Sequence, residues 1–275
     1  MSSTAVRADC AADPAGTLTF DLAGPAVAPA STLLLRRRGA AGAKPGGTVR
    51  IPLSGSGPGR LRAVLPASTR LAEGRWDAYV EEREGEGAQA VEPGLRDLRA
   101  LVDRAPDTGV PGVSARVPYP TADGRLALRC WLRAPHAEAG DVLAGPDGMT
   151  VEGVLYGAAV GEGAAVEARL PGDPARTHTV ALTPSAGAAG SFAFTLPYAP
   201  PAAGPVSESQ LWQLWLVPAA GAEGVRISRI LDDVWSRRTS FVYPGSPAAP
   251  GVLATPCYTA DNDLCLRLEP APAGR

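Results

Sequence analysis

The stretch PYPTADGRLALRC, residues 118–130, returns near the end of the chain as PCYTADNDLCLRL, residues 256–268. Seven of these thirteen positions are identical without a gap. A segment written twice points to an internal repeat, and a repeat missed at the outset misassigns the whole fold. Working outward, an offset of about 131 sets LTFDLAG (18–24) on MTVEGVLYG (149–157), and VRIPLSGSGPGRLRAVLP (49–66) on VALTPSAGAAGSFAFTLP (180–197). GRWDAYVEEREGEG (74–87) then meets QLWQLWLVPAAGAEG (210–224), with Trp76 on Trp212 and Tyr79 on Trp215, and GLRDLRALVDR (94–104) falls on GVRISRILDDV (224–234). Chance similarity between alanine-rich segments would not keep that order. Residues 17–135 and 148–270 therefore read as two copies. A flexible segment at 1–16, a linker at 136–147 and a tail at 271–275 are expected around them.

Within each copy the hydrophobic period is two. In RLALRCWLR, Leu126, Leu128, Cys130 and Leu132 face one way, while Ala127, Arg129, Trp131 and Arg133 face the other. SFAFTL repeats the pattern with Phe192, Phe194 and Leu196. Such alternation marks strands with one face in a core and one face wet. The turns SGSGPG (54–59) and SAGAAG (185–190) are too short for a crossover helix, so antiparallel hairpins are expected across them. The segments at 94–104 and 224–234 read as a strand followed by a turn, with a short helix as the alternative. Together these features predict an all-β chain of two tandem antiparallel β-sandwich domains, immunoglobulin-like in architecture and related by internal duplication.

Composition narrows the function classes. The 275 residues leave room for two domains with separate cores. A net charge of -2 supplies no basic field for nucleic acid or an anionic membrane. No apolar run approaches the roughly 20 residues needed to span a bilayer, and MSSTAVRADCAADPAG lacks the apolar core of a signal peptide, so a cytoplasmic location is expected. Lys44 is the only lysine and Asn262 the only asparagine, a bias that fits a GC-rich, actinobacterial coding sequence. The cysteines at 10, 130, 257 and 265 form no CxxC pair and read as inert thiols, with a Cys257–Cys265 disulfide as the alternative.

Catalytic vocabulary is sparse. There is no phosphate loop, no GxSxG elbow and no HExxH, and no cofactor is expected. His136 and His178 read as solvated loop histidines, with a general-base role for His178 as the sharper alternative. Asp232 and Asp233 are the candidate acid–base pair. Asp261 and Asp263 form a candidate cation corner, although the first copy has Asp123 and Arg125 there, so the plainer reading is a turn. The arginine run LLLRRRGA (33–40) suits either a solvated strand end or a phosphate. Trp131, flanked by Arg129 and Arg133 on the predicted wet face, either packs against a neighbouring domain or stacks on a ligand such as a sugar. Trp235 and Tyr243 are candidates to line a ligand groove between the domains.

The order LAEGRWDAYVEE…GLRDLRALVDRAP resembles the accessory β-domains of actinobacterial teichoic-acid-type glycosyltransferases, which carry a GxWDxYV strand followed by an arginine-rich one. Gly74, Trp76, Asp77, Tyr79 and Val80 match that motif. The second copy keeps only Trp212 and Trp215 of it. The resemblance implies a non-catalytic appendage that oligomerises or holds a glycan, without the nucleotide-sugar-binding domain. The leading expectation is thus a non-enzymatic tandem β-sandwich that binds a glycan-like ligand or a partner protein in cell-wall or secondary-metabolite assembly. The alternatives are an enzyme of such a pathway with its site between the domains, and a homo-oligomer held through exposed strand edges.

Overall fold

Small side chains on a strand hide it from a periodicity search, and here they hide the first strand of each copy. In the computed structural model, Val6, Ala8 and Cys10 of β1 (Val6–Ala12) point into a core while Arg7 is exposed. Residues 5–12, expected to be a loose end, are thus the opening strand of the first sandwich. The structure describes residues 5–24, 27–39, 47–57, 59–83, 85, 87–106, 112–183 and 189–272. They form two compact units: the first carries the strands up to β10 together with residues 231–235, and the second carries the rest.

After β1 the first unit continues with β2 (Leu18–Ala23), β3 (Thr32–Arg37), β4 (Thr48–Pro52), β5 (Ser54–Gly57), β6 (Arg60–Leu65), β7 (Gly74–Glu81), β8 (Gln89–Asp97), β9 (Val113–Pro120) and β10 (Leu126–Arg133). One layer runs β8-β1-β2-β6-β5, and the other holds β4, β3, β7, β10 and β9. β8 belongs to both. Its start pairs with β7, Ala90 opposite Tyr79, and its remainder runs parallel to β1, Val91 opposite Val6. That parallel pair is a departure from a purely antiparallel sandwich. The expected hairpin across residues 54–59 also resolves differently: β4 pairs with β3 and β6 with β2, so the chain changes layer there, and the hairpin is the small one between β5 and β6. The corresponding turn at 185–190 lies largely outside the described residues.

The second unit repeats the scheme. Its strands are β11 (His136–Ala144), β12 (Gly148–Tyr156), β13 (Ala165–Arg169), β14 (Thr177–Ala181), β15 (Ser191–Pro197), β16 (Gln210–Val217), β17 (Val225–Ser228), β18 (Ser246–Ala249), β19 (Val252–Tyr258) and β20 (Leu264–Pro270), with single helical turns α1 (Ala199–Ala202) and α2 (Arg237–Ser240). The layers are β15-β12-β11-β17 and β14-β13-β16-β20-β19-β18. β17 again joins them, antiparallel to β16 and parallel to β11. β11 occupies most of the segment read as a linker, because its inward residues are Ala137 and Ala139. A ladder with small inward residues carries little hydrophobic signal.

Register confirms most of the sequence alignment and corrects one block. Leu128 lies opposite Trp76 and Leu266 opposite Trp212, and both tryptophans are in the cores. Ala90 faces Tyr79 as Arg226 faces Trp215, however, so the counterpart of Val225 is Gln89 rather than Leu95. The expected strand-then-turn at 94–104 is the end of β8 and a single 3-10 turn at Arg99–Leu101.

The cores solve one volume problem in two ways. In the first unit Phe20 lies opposite Ala63; in the second the matching pair is Val151 opposite Phe194, and all four are buried. Beside them Leu22 faces Leu61, whereas Gly153 faces Phe192. A Cβ on Gly153 would overlap the Phe192 ring and come within 2.5 Å of the Glu138 carbonyl oxygen. The glycine is therefore fixed by the ring it accommodates. Interiors at crystal-like density tolerate such exchanges only when the summed volume is kept. Among the described residues no helix is long and apolar enough to cross a membrane.

Candidate functional site

The face predicted to be wet on β10 is closed. Trp131 is 0% exposed and Arg129 nearly so, with the Arg129 guanidinium 5.0 Å from the centre of the indole ring. Alternation told which residues share a face but not what covers it. Trp235 joins the same unit and stacks on Tyr119, ring centroids 4.4 Å apart and 17° from parallel. Burial raises the Tyr119 hydroxyl above its usual range, with Arg38 opposing that rise. The β3 arginines are engaged as well: Arg38 forms a bidentate pair with Asp77, and Arg37 donates to the Glu73 carbonyl. In this unit Arg129 thus lies on Trp131 and Trp235 on Tyr119, while Arg37 and Arg38 are held by the Glu73 carbonyl and by Asp77.

Arg133 belongs with the second unit, where it holds the acidic corner. Its Nη1 donates to Asp263 Oδ1 at 2.9 Å and to Ser228 Oγ, and Ser228 donates to the same carboxylate at 2.7 Å. Arg226 stands 3.7 Å from the other oxygen. Asp263 is thereby neutralised by arginine, and Asp261 beside it is exposed. Among the described residues no group of three or more His, Cys, Asp or Glu is placed to hold a metal. The corner is a turn in both copies: Asn262 has φ 61° where Gly124 has φ 73°. Asn262 also accepts a hydrogen bond from the Arg237 amide on its side-chain oxygen.

His136 is not a loop residue. It opens β11 fully buried, its Nε2 2.6 Å from Glu138 Oε2, and Glu138 in turn accepts from the Ile230 amide. His178, on β14, has its Nε2 buried without a partner among the described residues, and burial lowers its pKa. Asp232 is buried at the end of a bend and accepts from the Asp233 amide. His178 belongs to the second unit, and Asp232 and Asp233 to the first. All four thiols are free. Cys257 and Cys265 are direct cross-strand neighbours, and burial pushes the Cys265 thiol up to about 12.

An open groove lies wholly within the second unit. Its volume is about 490 Å³, in the range of small-molecule sites. The outer face of β19 and β20 forms its floor, and residues after α2 form a wall. Asn262 receives the first amide of α2 and Arg237 packs over Phe241 at 4.3 Å, which turns the following residues out of the core. Phe241 and Val242 are left 37% and 85% exposed. Phe241 is edge-on to the ring of buried Tyr258, centroids 6.3 Å apart. Tyr243, Thr255, Thr259, Arg238 and Arg267 complete the functional lining. Of the ligand candidates named from sequence, Tyr243 alone lines it. Sequence reasoning missed the rest because the wall comes from a segment without regular periodicity. Its only sequence signal was composition, two arginines and two aromatic residues within SRRTSFVYPG.

These features define the class: an all-β protein of two duplicated sandwiches, one of which carries a groove. No family model and no curated protein matches the chain. Among solved structures it is similar to S. aureus TarS 217–571, with 17% identity and a TM-score of 0.31 over 71% of this chain and 55% of that one. It is also similar to S. aureus TarS in a second structure, with 15% identity and a TM-score of 0.31 over 70% of this chain and 35% of that one. The chain thus spans about half or less of the chains it resembles.

Proposed function

We propose that this chain is a non-enzymatic binding module for a glycan-like ligand, acting in cell-wall glycan assembly, with its site in the groove of the second unit. The observation that supports this most is the lining itself. The exposed Phe241 ring and the half-buried Tyr243 ring line the groove together with threonine hydroxyls, a combination that suits a molecule with one apolar face and a hydroxylated edge. The resemblance of residues 74–104 to accessory β-domains of glycan-handling enzymes agrees with it.

The test is a thermal-shift screen of the whole chain against neutral and charged oligosaccharides, repeated with Tyr243→Ala. A ligand held at 100 times its Kd adds about 2.7 kcal/mol of stability. Stabilisation by at least one oligosaccharide, lost in Tyr243→Ala, is the expected result. Robust turnover of a small molecule, abolished by replacing one side chain, overturns the non-enzymatic reading.

A further inference from the structure

The two copies carry the same sheet face in different states. In the gapless alignment of 118–130 with 256–268, Tyr119 corresponds to Cys257 and Arg129 to Arg267; one residue beyond that block, Trp131 corresponds to Glu269. In the first unit this face is filled, with Trp235 on Tyr119 and Arg129 on Trp131. In the second, a thiol replaces the phenol and a carboxylate replaces the indole. The arginine common to both copies, Arg267 here, lines an open groove.

The lining of that groove contains two arginines and no aspartate or glutamate. Arg267 is partly compensated, its Nε 3.2 Å from Glu269, which also accepts from Ser209. Arg238 is exposed and has no ion-pair partner among the described residues. A guanidinium offers a planar fork of donors that matches two oxygens of a phosphate or carboxylate. A neutral sugar would leave that positive charge unanswered.

We infer that the groove selects an anionic saccharide: a sugar ring bearing a phosphate or carboxylate, the ring against Phe241 and Tyr243 and the anion on Arg238. The inference rests on the groove being a saccharide site, as proposed above. Thr255 and Thr259 then face the hydroxylated edge of the ring, and Arg267 adds a second, screened positive charge.

Isothermal titration calorimetry on the whole chain tests this with four compounds: glucose 6-phosphate, glucuronate, glucose and inorganic phosphate. Glucose 6-phosphate or glucuronate, or both, should bind at least about tenfold tighter than glucose and than inorganic phosphate. That preference should shrink in 0.5 M salt, because the charge it uses is exposed. Arg238→Gln should bring the anionic sugars to parity with glucose while leaving thermal unfolding unchanged, and a ranking of phosphate against carboxylate identifies the anion. Glucose binding as tightly as its charged relatives overturns the charge selection and leaves the saccharide reading standing. Inorganic phosphate binding as tightly as glucose 6-phosphate overturns the ring contact, and full affinity in Arg238→Gln overturns the assignment of the anion. If no compound binds here and no oligosaccharide stabilises the protein, both readings fall.

Discussion

Exchanging core residues between the copies tests whether they are two solutions to one packing problem. Phe194→Ala in the second unit removes a fully buried ring, a change that costs about 3–5 kcal/mol in a core. Val151→Phe alone forces a ring into a site already filled from the opposite strand and costs about 1–3 kcal/mol. Made together, the two substitutions recreate the arrangement of the first unit, where Phe20 faces Ala63. The double variant should therefore be more stable than Phe194→Ala alone, with a favourable coupling of about 2–3 kcal/mol. Recovery should stop short of wild type, because Phe194 also stacks on Phe192 with centroids 6.4 Å apart, worth about 0.5–1.5 kcal/mol. Urea unfolding followed by the fluorescence of buried Trp212 measures all four corners of the cycle. Additive costs, with the double variant less stable than either single one, would refute the equivalence of the two sites.

Three further outcomes follow from local geometry. Asn262→Ala should lower stability by about 1–2 kcal/mol, since alanine resists φ 61° and removes the acceptor for the Arg237 amide; Asn262→Gly should recover part of this, and thermal unfolding of the three proteins decides it. Gly153→Ala should cost about 1–3 kcal/mol by chemical denaturation, and Phe192→Leu should relieve it only in part, because the Glu138 carbonyl stays in the way. The paired hydrogen bonds from Arg62 hold the Asp21 carboxyl below its usual range, so the ionised form is favoured in the folded state. The resulting stability is present above the unfolded value of about 4 and is lost as pH falls through the depressed folded value. Wild type and Asp21→Asn should therefore differ in unfolding free energy at pH 7 and converge in acid; a constant difference across that range would contradict the assignment.

What the sequence made legible was set by side-chain size. Alternating Leu, Phe and Trp located β2, β6, β7, β10 and their counterparts, and gapless similarity paired them correctly. Where the inward residues shrink to alanine or cysteine, as in β1 and β11, the period is present but its amplitude is too low to rise above an alanine-rich background. The block at 94–104 slipped because Gly94, Arg96, Arg99, Leu101 and Asp103 recur at the same spacing as Gly224, Arg226, Arg229, Leu231 and Asp233, although Leu95 is exposed where Val225 is buried. Arg129 and Trp131 were read as a wet face, yet both are buried and the guanidinium lies 5.0 Å from the centre of the indole ring. The groove was missed because its wall, Phe241 to Tyr243, follows no hydrophobic period.

The strand shared by both layers has a consequence for how the chain is made. Val6 must wait for Val91, some 85 residues later, and Ala137 must wait for Ile227. At ribosomal speeds of about 5–20 residues per second, β1 spends roughly 4–17 s with one edge unsatisfied. A second edge of the same design follows it out, which is the circumstance in which tandem repeats exchange strands and aggregate. The exchanged core residues then take on a protective meaning. A β2 carrying Phe20 that strays onto β15 meets Phe194 instead of Ala63, and the two rings cannot occupy one space. Divergence between the copies thus acts as a kinetic safeguard, letting each half recognise itself while its twin is still being synthesised.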